Sequence, residues 1–265
     1  MKRNLFFVVI IALSTVFNTQ AQLGKALKNA GKSVGKAAGD AAEEIALDLS
    51  TNKVSDKLVD WMDKNSVLSA DDSPYTLRLN SIVGENFVNV GGASLSYKVY
   101  ENPEINVLAL SNGAIRVYSG LLDTFDDDDE VLAIITTQIG HIVSKDARGA
   151  LLKVVSEDQA TTAATAQLEK LLSASGDKLG TVVNELIQVP YTDEQNKAAD
   201  KYAADLLKKN GKNPRSLSTA LTKLGELEAN DIAASESENS ALEISPAAKF
   251  NRVNSKNTLR AALIR

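Results

Sequence analysis

Asp126-Asp127-Asp128-Asp129-Glu130-Val131-Leu132-Ala133-Ile134-Ile135-Thr136-Thr137-Gln138-Ile139-Gly140-His141 is an acidic lead followed by an apolar run of helical length, and it ends on the only histidine in the chain. Acids placed directly before an apolar helix favour the positive end of its dipole, so the lead reads as an N-terminal cap. It lacks the alternating oxygen ligands and turn glycine of a calcium-binding loop. The stretch therefore predicts one helix over Glu130 to Lys145, and a lone histidine within it is by default a packed side chain.

The second half of that helix has the outline of HExxH. In a working HExxH helix, histidines at i and i+4 share one face and one Zn²⁺, and the glutamate beside the first takes a proton from the bound water. Here the same positions read Thr137, Gln138 and His141. Threonine is a poor neutral ligand for zinc, and glutamine has no carboxylate to act as a base.

The flanks extend the likeness. Upstream, Ile105-Asn106-Val107-Leu108-Ala109-Leu110-Ser111-Asn112-Gly113-Ala114-Ile115-Arg116-Val117-Tyr118-Ser119-Gly120-Leu121-Leu122 resembles the stretch that precedes HExxH in the family-forty-eight zinc metallopeptidases. Downstream, Tyr191 to Tyr202 resembles that family's second helix, whose ExxAD segment supplies the third zinc ligand. The likeness runs from about Tyr75 to Pro246. It implies that Thr137 stands where the family has its first histidine and Gln138 where it has its catalytic glutamate. His141 keeps the second ligand, Asn196 takes the place of the ligand glutamate, and Asp200 is the retained acid beside it. Ser245-Pro246 keeps only the proline of the family's His-Pro. One ligand of three remains, so no cofactor is expected here, although active relatives carry zinc. The resemblance also implies a groove that holds extended peptide along a sheet edge, for which Asn106, Leu108, Asn112, Ile115 and Ser245 are the candidate lining.

Met1-Lys2-Arg3, the apolar run Leu5 to Val16 and Thr19-Gln20-Ala21 read as a signal peptide over residues 1–21, cleaved before Gln22. The expected location is the periplasm or the cell envelope. Without cysteine the chain has neither a disulfide nor a thiol for lipid attachment. About 240 residues would remain, enough for one core. Loss of Lys2 and Arg3 takes the formal charge from −5 to −7, which disfavours nucleic acid as a partner. Positive charge gathers instead at the ends. Lys25, Lys28, Lys32 and Lys36 form a helical stripe beside Gly31, Gly35 and Gly39, which reads either as a helix that lies on an anionic membrane surface or pairs with a partner helix, or as a flexible, glycine-weakened tether. Lys249, Arg252, Lys256, Arg260 and Arg265 make a basic tail over 247–265.

Between the ends, residues 22–72 read as an N-terminal helical extension in which Asn52 to Lys64 packs one face inward. Residues 73–246 read as the peptidase-like domain, opened by the cap Ser73-Pro74. Alternation in Leu95 to Tyr100 and Ala114 to Tyr118, the short run Val107 to Leu110, and the turn Asn112-Gly113 predict a small antiparallel-rich sheet. Thr192-x-x-Gln195 predicts a capping box and Gly211 a helix stop, Gln159 to Ser175 reads as helix, and Asn230 to Ser240 reads as a loop. The fold expected is α+β, mostly α and zincin-like. The function expected is that of an exported pseudopeptidase binding unfolded peptides or envelope proteins, and the alternative is an active zinc metalloendopeptidase with an atypical site.

Overall fold

The computed structural model describes residues 20–156, 161–237 and 257–264. The chain divides into two units, 1–47 and 48–265. Residues 1–19 of the stretch read as a signal peptide, the residues 157–160 and the segment 238–256 with Ser245 lie outside the described residues. The backbone of the Lys25 to Lys36 stripe is helical, within α1 (Gln20–Asn65), so helix and not tether is the conformation of that segment.

The second unit starts inside α1. Val54, Leu58, Val59 and Met62 bury the α1 face that the spacing predicted. After it come α2 (Pro74–Val83), a 3₁₀ turn at Glu85–Phe87, the hairpin β1 (Asn89–Val90) and β2 (Ala93–Ser94), then β3 (Ser96–Tyr100), β4 (Val107–Ala109) and β5 (Ala114–Tyr118). Ser73 caps α2 through Thr76 N at 3.1 Å, as expected.

β5 is the central strand of a three-stranded sheet ordered β3-β5-β4. β4 joins it antiparallel through the Asn112-Gly113 turn, while β3 runs parallel to it over five residue pairs. The longest pairing is thus parallel, because the chain between β3 and β4 crosses β5 instead of turning back beside it. Gly113 has φ +88, and a Cβ there would lie 2.1 Å from Ser94 O, so only glycine makes this turn.

Alternation suggested a half-exposed β5, yet all five of its residues are buried, Arg116 among them. Its charge is met by Asp63 of α1, which accepts from Arg116 Nε at 2.8 Å and Nη2 at 3.1 Å. Lys98 Nζ at 2.7 Å and Tyr100 OH at 2.6 Å complete the carboxylate's shell. This knot fixes α1 to the sheet.

Helices then build the body: α3 (Ser119–Thr124), α4 (Asp128–Val143), α5 (Asp146–Val155), α6 (Thr161–Leu172), α7 (Asp177–Gln188), α8 (Asp193–Lys209), α9 (Arg215–Ser237) and α10 (Asn257–Leu263). α4 is apolar on every side and accordingly central, buried from Glu130 to Ile142. Asp127 caps it by accepting from Asp129 N at 2.8 Å, which starts the helix two residues before the expected Glu130. It ends at Val143 instead of Lys145, because Lys145 adopts a left-handed φ of 64 and turns the chain into α5. Thr192 and Gln195 form the predicted capping box of α8, and Gly211, φ +70, follows its end.

One expectation is corrected. Asn230 to Ser237 belongs to α9 and is not a loop, since Ala229, Ala233 and Ala234 favour helix and no glycine or proline interrupts the run. Of the basic tail, Asn257–Leu263 is helix, with Arg260 and Ala261 buried.

Burial alone would raise the Asp63 carboxyl, but the hydrogen bonds from Arg116, Lys98 and Tyr100 outweigh it and hold its pKa at about 2. A value below the ordinary one means that its stabilisation is present at neutral pH, declines below about pH 4 and is gone near pH 2. Urea titrations across that range should show a loss of about 2 kcal/mol that Asp63→Asn removes.

Candidate functional site

α4 and α8 cross in contact. At Gly140 a Cβ would lie 2.9 Å from Ala199 Cα and 2.9 Å from Ala199 O, so the crossing depends on the bare backbone of this glycine. His141 follows it, Thr137 and Gln138 lie one turn earlier on α4, and Asn196 lies one turn before Ala199 on α8. All four are buried, His141 completely. The structure thus brings Thr137, His141 and Asn196 to one helix pair, as the sequence predicted.

What surrounds them is closed. His141 Nδ1 lies 2.9 Å from Asp146 Oδ2, and Gln195 Nε2 donates to Asp146 Oδ1 at 2.9 Å. The imidazole stacks on Tyr191 with ring centroids 3.7 Å apart and planes 14° from parallel. Asn196 Nδ2 donates to Tyr191 O at 3.3 Å. Burial lowers the His141 pKa against the opposing pull of Asp146, which favours the neutral ring. Asp200 sits deeper, held by Arg260 through Nη2 at 2.6 Å and Nε at 2.9 Å. Arg260 also donates to Asn257 Oδ1 at 3.2 Å, so the last described helix is tied to the back of the site.

Asp146, Tyr191, Gln195 and Arg260 were not singled out as site residues from the sequence. Asp146 reaches His141 only because Lys145 turns left-handed. Arg260 lies 60 residues from its partner, beyond any local pattern.

The residues present do not fit a zinc ion. His141 Nε2 and Asn196 Oδ1 are buried without a protein partner, one imidazole nitrogen and one neutral amide oxygen. Thr137 Oγ1 is committed to Ala133 O at 3.3 Å. Among the described residues no group of three or more His, Cys, Asp or Glu side chains could hold a metal ion, whereas a zinc site takes three or four such ligands.

The candidate groove is reduced to its end. β4 is an edge strand, but Asn106 and Leu108 face Gln138, Leu186 and Tyr191 across a cavity of about 20 Å³. That is room for roughly one water and far from the several hundred Å³ of a ligand cleft. Asn106 Oδ1 also accepts from Val107 N at 2.8 Å, which uses one of the edge groups a peptide would need. Asn112 turns elsewhere, donating to Asp56 at 2.7 Å, and Ile115 is sealed in the core.

A small mixed sheet with an edge strand beside a buried helix, crossed by a second helix at the candidate ligand positions, is the framework of a zincin-like metallopeptidase. The chain belongs to peptidase family M48, whose model matches residues 76–255. It is similar to the metalloprotease LoiP of Escherichia coli, 32% identical over 175 residues that cover 66% of this chain and 69% of LoiP. It is also similar to the metalloprotease YcaL of the same organism, 29% identical over 174 residues covering 63% of this chain and 65% of YcaL. The mitochondrial metalloendopeptidase OMA1 of Arabidopsis thaliana matches 51% of this chain at 29% identity and 27% of its own length.

Gly140→Ala should cost about 2–3 kcal/mol in chemical denaturation, because the added methyl meets backbone that cannot step aside. Arg260→Leu should cost about 3–5 kcal/mol by leaving Asp200 charged and buried, and Arg260→Leu/Asp200→Leu should recover a large part of that loss.

Proposed function

We propose that this chain is a non-hydrolytic member of the M48 family, exported to the periplasm or envelope, where it acts as a protein-binding or scaffold factor in protein quality control. The observation that carries this reading is the donor set at the helix crossing. Thr137 and Asn196 stand where the family resemblance places two zinc ligands, and Gln138 where it places the base. Water activation and acid–base transfer are both needed for peptide hydrolysis, and loss of either costs orders of magnitude in rate.

The partners that suit this reading are unfolded peptides or envelope proteins, with no role for nucleic acid. Addition of a strand to β4 would use backbone hydrogen bonds that need no metal. It also requires Leu186 and Tyr191 to move off the edge, so capture along this route is weak unless a partner displaces them. The basic stripe Lys25 to Lys36 offers peripheral contact with an anionic membrane; among the described residues no helix is long and apolar enough to cross one. Arg260 is spent on Asp200 and does not contribute to such contact.

The competing reading is an active zinc metalloendopeptidase with an atypical site, in keeping with LoiP, YcaL and OMA1 being metalloproteases. Elemental analysis and casein digestion of the purified protein separate the two. Less than a tenth of an equivalent of zinc and no chelator-sensitive cleavage are expected; about one zinc per chain with cleavage would reverse the assignment. Thr137→His/Gln138→Glu/Asn196→Glu should raise the zinc content to about one per chain, since three ligands complete a catalytic-type set on helices already in contact.

A further inference from the structure

β4 is bonded on one side only. Leu110 N donates to Ala114 O at 2.9 Å, and Tyr118 N donates to Asn106 O at 3.0 Å. The bonding direction alternates along an antiparallel strand, so Val107 and Ala109 turn their N–H and C=O groups to the outer edge. Asn106 Oδ1 accepts from Val107 N. Among the described residues nothing bonds Val107 O, Ala109 N or Ala109 O, although both residues are buried.

The last turn of α7 and the turn into α8 lie over this edge, and they cover it with side chains and not with a strand. Leu186, Val189 and Tyr191 close the cavity of about 20 Å³ against Val107, Leu108 and Ala109. Pro190 has no N–H, and Val189 N is turned back to Leu186 O at 3.2 Å, so neither residue offers the edge a donor. Two directional contacts hold the cover down: the Tyr191 ring on His141 at 3.7 Å, and Asn196 Nδ2 donating to Tyr191 O at 3.3 Å. On the outer side Val189 and Pro190 line an open cavity of about 620 Å³ with Lys153 and Glu185, which leaves room for the segment to swing away.

We propose that the segment 186–191 is an autoinhibitory strap, which covers the edge of β4 without bonding it and uncovers a strand-addition site for an extended peptide when it swings out. A peptide backbone would donate to Val107 O and Ala109 O and accept from Ala109 N, so capture would follow backbone conformation more than side-chain identity. Pairing these buried groups offsets part of the cost of moving the strap. The inference deepens the peptide-binding reading above and rests on it.

The test is a titration of the full-length wild type, Tyr191→Ala and Val189→Asp with a ten-residue peptide of alternating threonine and valine, followed by ¹H–¹⁵N NMR. Tyr191→Ala removes the stack on His141, and Val189→Asp sets a carboxylate against the closed cavity. Each should tighten binding about tenfold over the wild type. The peptide should shift Val107 and Ala109 and slow exchange of the Ala109 amide about tenfold, while a version with proline at every second position should do neither. Equal affinity for all three proteins at β4 would overturn the strap and keep the peptide-binding reading. Shifts that bypass Val107 and Ala109, or no binding to any of the three, would overturn edge capture itself. Self-association of the opened variants in place of peptide uptake would overturn the peptide as occupant in favour of a second copy of the chain. If neither variant folds, the wild type decides: an Ala109 amide sheltered only by the strap should exchange about a hundredfold faster than that of Val117 in the central strand, and equal protection would overturn the proposal.

Discussion

The contact between Gly140 and Ala199 sets the geometry on which the rest of the site depends. With a Cβ at 140 only 2.9 Å from the Ala199 backbone, α4 and α8 meet closely enough there to require glycine. Helix pairs of ordinary side-chain content stand 8–10 Å apart. A closer crossing brings short polar groups such as Asn196 within reach of the other helix and leaves no solvent channel between them. The same closeness makes each polar group at the crossing costly unless it is matched.

Matching is accomplished by a chain of neutral and charge-assisted bonds that begins outside the crossing. Lys145 in the left-handed region reverses the chain between α4 and α5 and delivers Asp146 to His141. Gln195, whose side-chain oxygen completes the α8 capping box, uses its nitrogen to hold the other Asp146 oxygen. One residue therefore starts α8 and orients the acid that orients the histidine. A carboxylate behind a histidine is the arrangement that positions a metal-bound imidazole, and Asp146 stands in that place behind His141. Tyr191, stacked on the ring, covers one of its faces.

Much of this framework was legible in the sequence because it rests on local chemistry. The acidic cap, the Ser73-Pro74 start, the Thr192/Gln195 box and the Asn112-Gly113 turn each involve residues within four positions of one another, and each appears where it was read. The α4–α8 pairing was legible only through the family resemblance. What escaped were the long-range and geometric features. The parallel β3–β5 pairing depends on a crossing connection that alternation does not encode. The burial of Arg116 in β5 was not legible either, because its partner Asp63 lies 53 residues earlier. The groove read as open because the positions on β4 carry no mark of the Leu186 to Tyr191 segment that covers them.

Asp63–Arg116 and Asp200–Arg260 make the same argument from opposite ends of the chain. Each sets a bidentate Asp–Arg pair against a helix, α1 in the first case and α10 in the second. A desolvated pair adds little net stability against an apolar alternative, but a mispaired one is severely penalised. Such pairs therefore act mainly on register. α1 must present Asp63, and no neighbouring residue, to the Arg116 fork. α10 must bring Arg260 to the acid that follows the candidate ligand position on α8. These two charge pairs and the Asp146 carboxylate supply directional constraints that apolar packing does not. The register of α1, α8 and α10 in this M48 chain is thus specified by side-chain pairing as well as by burial.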